Sequence, residues 1–280
     1  MADDIRVLKG HGTGNDFVIL PDFDGALDVT AQMVGRLCDR RFGLGGDGLL
    51  RVVRSERCDD PQAQGAEFFM DYRNADGSLA QMCGNGIRVF ARFLVDEGLA
   101  DPAGMEIATR GGVRHVRRLR DGEYAVGMGE AREVGGVASV MVSNRSYPAV
   151  GVHLPNPHAV AFVGALDAAG PLLSAPEVSP EHLFPEGVNV EFVVEVAAGH
   201  IEMRVHERGV GETWSCGTGA CAAVWAARRR PGASDGEIYR VDVPGGTLHV
   251  REVEGQFELI GPAVIVADGV LDAEWAAAWR

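Results

Sequence analysis

The sequence predicts an α+β protein built of two similar halves. Three observations carry that prediction. Short β-rich runs far outnumber helical ones, two residue spacings recur along the chain, and each recurrence ends in the same kind of motif, Cys83-Gly84-Asn85-Gly86 and Cys216-Gly217-Thr218-Gly219. Many strands with few helices, some of them buried, is the pattern of α+β layering.

The β-rich runs are 5–8, 17–20, 49–53, 67–72, 151–154, 190–196, 201–206, 239–243, 247–250 and 257–260, most of them bounded by Gly, Pro or Asp. Thr30 caps a helix that presents Met33, Val34, Leu37 and Cys38 on one face and is expected to end near Gly43. A second helix starts after Cys83, carries Ile87, Phe90, Ala91 and Leu94 at helical spacing, and ends at Gly98. A third starts after Cys216. It is apolar nearly all round, which predicts burial, and Arg228–Arg230 followed by Pro231-Gly232 stop it.

Asn15 to Gly48 is 33 residues, and so is Asn156 to Asn189; Asn74 to Cys83 is nine, and so is Glu207 to Cys216. Only the stretch between differs, 26 residues from Gly48 to Asn74 against 18 from Asn189 to Glu207. Such self-similarity is the mark of a duplicated half of about 130 residues. The expected division is 1–128, carrying Cys83, and 129–263, carrying Cys216, with about 264–280 packing back on the first half and the site in the cleft between.

Composition narrows the function. With 46% hydrophobic and 24% charged residues the chain has a globular makeup, and no apolar run approaches the ~20 residues a membrane span needs. The acidic start Met1-Ala2-Asp3-Asp4 leads straight into a strand-like run, so a secretory signal is not expected and the chain reads as cytosolic. A net charge of -14 argues against nucleic acid, which needs clustered cations. The arginines of 114–120 read as a solvated strand face, and Arg228–Arg230 as helix C-terminal charge.

Of 26 basic residues only Lys9 is a lysine. A pyridoxal-phosphate enzyme needs a lysine for its Schiff base, and Lys9 has no Gly-rich phosphate cradle near it. Amino-acid chemistry here is therefore expected to run without a cofactor. The five cysteines (Cys38, Cys58, Cys83, Cys216, Cys221) are odd in number, widely spaced and lack C-x-x-C, which fits neither a disulfide framework nor a zinc site. No metal is expected. Cys38 and Cys221 lie on apolar helix faces and Cys58 in a charged loop, so those three read as packing.

The two motif cysteines read differently. The first N–H groups of a helix lack intrahelical partners and carry partial positive charge, and glycine lets a ligand approach them closely. Each motif is thus an anion site with a thiol beside it. The same field is expected to favour thiolate and lower the cysteine pKa. Two such motifs face to face would hold a carboxylate between helix starts, with a sulfur on each side of the carbon that bears it. One thiolate base and one thiol acid in that arrangement invert an α-carbon, and the fixed N–H groups stabilise the charge that develops on the carboxylate.

The segments 11–17 (His-Gly-Thr-Gly-Asn-Asp-Phe), 71–77 (Asp-Tyr-Arg-Asn-Ala-Asp-Gly), 82–86 (Met-Cys-Gly-Asn-Gly), 156–158 (Asn-Pro-His), 185–189 (Pro-Glu-Gly-Val-Asn), 207–212 (Glu-Arg-Gly-Val-Gly-Glu) and 215–219 (Ser-Cys-Gly-Thr-Gly) together resemble the diaminopimelate epimerase family in order and approximate spacing. The resemblance implies two pseudo-symmetric domains, each a curved β-sheet around a central helix, a homodimer, and a place in bacterial lysine and cell-wall synthesis. It implies that Cys83 and Cys216 are the acid/base pair and that Gly84, Asn85, Gly217 and Thr218 hold the reacting carboxylate. Asn15, Asn74, Asn156, Asn189, Glu207 and Arg208 would bind the two amino-acid ends of the substrate, and His158 with Glu207 would tune the thiols.

The residue types suit these roles. Arg208 offers a planar fork for a distal carboxylate, and amides combine donors and acceptors for a zwitterionic head. Taken alone, Asn15, Asn74 and Asn189 equally suit turns, His158 a satisfied loop histidine, and Glu207-Arg208 a surface pair. Two positions depart from the family. Gly48 stands where some members carry a substrate-binding Gln, and Trp214 where the family is often polar.

Overall fold

The computed structural model describes residues 5–277. The reading of Met1–Asp4 as free of a signal, and the last three residues of the returning tail, lie outside the described residues. Within them, no helix is long and apolar enough to cross a membrane. The chain divides into two compact units, one running to Val126 and resuming at Pro262, the other Gly127–Gly261.

The strands of the first unit are β1 (Arg6–Gly12), β2 (Asn15–Pro21), β3 (Gly48–Arg54), β4 (Phe68–Asn74), β5 (Met105–Ala108), β6 (Arg114–Arg118) and the start of β7 (Tyr124–Glu130). They pair in sequence order, antiparallel except for the parallel pairs β2–β3 and β4–β5. Thr13 and Gly14, both at positive φ, make the two-residue turn between β1 and β2 that delivers Asn15. Helix α1 (Ala31–Cys38) is capped by Thr30, whose Oγ1 accepts from the Met33 N–H at 3.2 Å. It stops at Cys38 rather than near Gly43, because the Asp39 carboxylate takes the N–H groups of Arg41 and Phe42 at 2.8 and 2.7 Å and turns the chain. Helix α2 (Gly84–Asp96) buries Ile87, Val89, Phe90, Phe93 and Leu94 and touches β1, β2, β3, β4 and β6, so the sheet curves around it.

The second unit holds β8 (Arg132–Glu133), β9 (Ala138–Val142), β10 (Arg145–His153), β11 (Pro157–Phe162), β12 (Glu177–Ser179), β13 (Asn189–Ala197), β14 (His200–Glu207), β15 (Gly211–Thr213), β16 (Ile238–Val243), β17 (Gly246–Val253) and β18 (Gln256–Gly261). Helix α3 (Gly217–Ala227) is buried along almost its whole length and touches seven of these strands, from β10 to β18. The succession β10–β11–β13–β14–β16–β17–β18 alternates antiparallel, parallel, antiparallel, parallel, antiparallel, antiparallel. That is the order found along β1 to β7. The residue register repeats as well: Phe17 pairs with Gly48 as His158 pairs with Asn189. Gly48 pairs with Asn74, and the Val190–His206 pair puts Asn189 level with Glu207. The length difference between the halves is the 55–67 excursion joining β3 to β4, where β13 and β14 are joined by a short turn.

The chain then returns. Strand β19 (Val264–Val270) pairs antiparallel with β1, as β9 does with β10, and α4 (Ala273–Ala277) follows it. Leu271 and Ala276 join the core formed by Val7, Val18, Leu20, Met33, Val34, Leu37 and Leu49. The second unit has its own core around Val140, Ala159, Ala161, Val190 and Phe192.

Candidate active site

Each motif cysteine is the N-cap of its helix. Cys83 Sγ accepts the Gly86 N–H at 3.4 Å, and Cys216 Sγ accepts the Gly219 N–H at the same distance. A sulfur thus stands where Ser or Thr usually caps a helix. The other N–H groups of the first turn, those of Gly84–Asn85 and Gly217–Thr218, have no carbonyl of their own helix to meet.

At the first helix start, Cys83 is half-buried and its thiol lies 3.5 Å from Asn15 Oδ1. Asn15 is held in turn: its Nδ2 donates to Asp47 at 2.6 Å, and its Oδ1 lies 3.3 Å from Asn85 Nδ2. Asp47 belongs to an ion cluster in which Arg40 bridges Asp16 and Asp47, and Lys9 pairs with Asp16 at 2.5 Å. The single lysine is therefore engaged in a salt bridge. Arg88, fully buried, donates to the Gly84 carbonyl, Asn85 Oδ1 and Thr13 Oγ1, which fixes the helix start to the β1–β2 turn. Asn74 is partly exposed and donates to Ser78.

At the second helix start, Cys216 is buried and lies 3.5 Å from the Thr218 hydroxyl. Glu207 accepts from Thr213 at 2.5 Å. His158 is fully buried, with Nδ1 2.6 Å from Glu191 Oε1 and Nε2 3.0 Å from Asn156 Oδ1. Asn189 is buried, and its amide donates to the Pro157 carbonyl and accepts the Arg208 N–H at 2.9 Å. The Arg208 guanidinium donates to the Glu186 carbonyl. Trp214, two residues before Cys216, is 64% exposed.

The expectation that the helix field lowers the cysteine pKa is corrected at Cys216. Burial pushes this thiol well above its ordinary value, and the nearby Glu207 and Glu191 push it further. The Thr218 and Gly219 hydrogen bonds pull the other way and lose. Taking a sulfur anion out of water beside two carboxylates outweighs the partial charge of one helix end. Burial also raises the Glu207 carboxyl, against the pull of Thr213 and His158. Cys38 is pushed up to about 11 by burial, as suits a packing residue.

Gly48 has a steric reason. A Cβ there would lie 2.5 Å from the Arg73 carbonyl and 2.8 Å from the Tyr72 ring. The backbone has closed over the place where a longer side chain would leave.

Three residues of these surroundings went unread in the sequence: Glu191, Arg88 and Asp47. The available signal for the first two was a charge inside an apolar stretch, in Val190-Glu191-Phe192-Val193 and in Ile87-Arg88-Val89-Phe90. His200, Glu202 and Asp242 have metal-ligating spacing among the described residues, but Asp242 is already taken by His200, Arg240 and Thr247.

The sequence pattern described as diaminopimelate epimerase matches residues 7–134 and 151–266. The chain belongs to the diaminopimelate epimerase family. The diaminopimelate epimerase of Streptomyces coelicolor is 54% identical over 98% of both chains, and that of Thermobifida fusca 50% identical over 95% of this chain and 97% of the relative. Among solved structures, a Bacillus anthracis phenazine biosynthesis protein of the PhzF family aligns with a TM-score of 0.66 at 18% identity, over 96% of this chain and 99% of that one. A hydroxyproline epimerase from Agrobacterium vitis, with bound trans-4-hydroxy-L-proline, aligns with a TM-score of 0.62 at 14% identity, over 96% and 91%. At such identities the likeness is one of fold.

Proposed function

We propose that the chain interconverts LL- and meso-2,6-diaminopimelate by a cofactor- and metal-independent two-thiol mechanism, in the cytoplasmic synthesis of lysine and peptidoglycan precursors. The observation that carries this reading is the pair of cysteine N-caps, each in the same register of a repeated half. In the reading, the two thiols flank one α-carbon of the substrate. The thiolate takes the α-proton from one face, the electron pair is delocalised into the carboxylate, and the opposite thiol returns a proton to the other face. The sulfurs end with exchanged protonation, ready for the reverse reaction. Backbone N–H groups of Gly84–Asn85 and Gly217–Thr218 hold the carboxylate as its charge grows.

The raised pKa of Cys216 supports its resting role as acid, which leaves Cys83 as resting base. Asn15, Asn74, Asn156, Asn189, Glu207 and Arg208 hold the amino-acid ends. Asn189 also fixes the Arg208 backbone, and its amide keeps a second N–H and a second lone pair for the substrate. The working unit is a homodimer. The near-full-length identity to two diaminopimelate epimerases supports the substrate.

Incubation with LL-diaminopimelate in heavy water yields the meso isomer carrying deuterium at the inverted carbon. A folded, fully reduced sample that exchanges nothing overturns the reading. A panel including proline and histidine, run beside it, separates this substrate from those of sister racemases, and light scattering at twice the chain mass tests the dimer.

A further inference from the structure

The repeated register allows the surroundings of the two cysteines to be compared position by position. Around Cys83 the matched residues are Phe17, Leu50 and Asn74; around Cys216 they are His158, Glu191 and Glu207. The glycines three residues into each motif show what lies behind the sulfur. A Cβ on Gly86 would lie 3.2 Å from Leu50 and 3.4 Å from Phe17, an apolar wall. A Cβ on Gly219 would lie 2.7 Å from Glu191 Oε1 and 3.3 Å from Cys216 Sγ. Three neutral residues in one half are thus replaced by three titratable ones in the other.

Glu191 is the least explained of the three. It is fully buried, its Oε1 meets His158 Nδ1 at 2.6 Å, and its Oε2 has no hydrogen-bond partner among the described residues. A buried carboxylate oxygen without a partner is costly, and a leucine occupies the same place in the other half without that cost. We infer that Glu191 is a positioning residue of the reaction: it clamps His158, and through it Asn156, and with Glu207 it brackets the Cys216 thiol with carboxylates. The inference rests on the two-thiol reading and assigns the electrical difference between its halves.

The consequence is polarity in a pair that the fold otherwise makes symmetric. The groups acting on the Cys216 sulfur are Glu207 on β14, Glu191 on β13, and the Thr218 hydroxyl and Gly219 N–H of α3, with His158 on β11 acting through the two carboxylates. His206, paired with Val190, lies on the opposite face of its strand by alternation. Burial, with the two carboxylates adding to it, keeps Cys216 protonated at rest, and the proton it holds is the one it delivers.

The test is Glu191→Gln, which keeps the size and a hydrogen bond to His158 but removes the charge. Thiolate absorbance is titrated from neutral to strongly alkaline pH in a Cys83→Ala chain, with the Cys83→Ala/Cys216→Ala chain subtracted so that only Cys216 is read. Adding Glu191→Gln is expected to move the Cys216 midpoint down by roughly one pH unit, a tenfold change in thiolate fraction at fixed pH. An unmoved midpoint overturns the inference. This measurement uses no substrate, so it stands or falls apart from the epimerase reading. In the otherwise unaltered chain, the high-pH limb of kcat/KM for LL-diaminopimelate moves down with it. A uniform loss of rate with the limb in place means a merely structural Glu191. Should Glu191→Gln fail to fold, Glu191→Asp, which withdraws the carboxylate by one methylene, is expected to give a smaller shift of the same sign, and no shift again overturns it.

Discussion

A thiol at an N-cap is a poor choice for stability, since Ser, Thr, Asp and Asn cap better. In the two-thiol reading proposed above, its presence at both Cys83 and Cys216 follows from what sulfur does with a proton. Replacing either by alanine is expected to lower kcat for inversion by at least about 10³-fold, with melting temperature little changed, because one face of the α-carbon loses its only proton carrier. Activity within tenfold of the parent in either variant, measured by polarimetry or chiral chromatography, counts against the two-base mechanism. The cysteines were legible in the sequence because each carries Gly-x-Gly and a nine-residue spacing. Glu191 was not, because a single glutamate in a strand looks solvent-facing until the burial of both strand faces is known. Asn15 was legible as a polar residue after a Gly turn; the Asp47 carboxylate that aims its amide comes from a loop 32 residues further along and left no local trace.

At the level of elements, each helix start is only as well placed as the strands that meet it. Gly48 shows this: it faces Asn74 across β3–β4, and its missing side chain leaves room for the Arg73 carbonyl and Tyr72 ring. Gly48→Ala is expected to cost roughly 1–3 kcal/mol by forcing that backbone apart, and to raise KM by displacing Asn74; calorimetry and steady-state kinetics check the two effects. Thr30→Ala tests an element remote from the chemistry. Loss of the Thr30 cap on α1 is expected to cost about 1 kcal/mol and to lower the melting temperature by about 3 °C, with kcat and KM unchanged. Helices α1, α2 and α3 were legible from caps and periodicity, and most central strands from β-branched runs between turn residues. Strands β7, with Gly127 and Gly129, and β11, with Ala159 and Ala161, carry few β-branched residues and went unread. So did β5, β8, β9, β12, β15 and β19. They are short or lie at the sheet margin, and Val264, Val266 and Val270 of β19 are left exposed, so no buried run marks them. The end of α1 was misplaced because a side-chain competitor, Asp39, decides it rather than a glycine.

For the whole molecule, charge sets where the fold holds. Asp16, Asp71, Glu97 and Asp268 are all held below the usual carboxylate range by arginines, with Lys9 also acting on Asp16, and Asp242 is held down at about 2. A depressed carboxylate contributes stability that is complete above its unfolded value of about 4 and is lost as pH falls through the folded one. Raised thiols act at the other end. Cys38, at about 11, and Cys216 contribute stability that is complete below the unfolded thiol value of about 8.5 and is lost as pH rises through the folded ones. The melting temperature is therefore expected to be flat from weakly acidic to weakly alkaline pH and to fall on both sides. The two units differ in this. Asp16, Asp71, Glu97 and Asp268 lie in the first, tying β1, β2, β4 and the returning β19 to their neighbours, whereas Asp242 lies in the second. Acid should thus loosen the first unit before the second. Hydrogen exchange at about pH 3, below the unfolded carboxylate value, is expected to strip protection from peptides of β1 and β19 earlier than from β13 and β14. Simultaneous loss would mean that the halves, alike in register, also unfold as one, and that the unequal distribution of buffered carboxylates has no mechanical consequence.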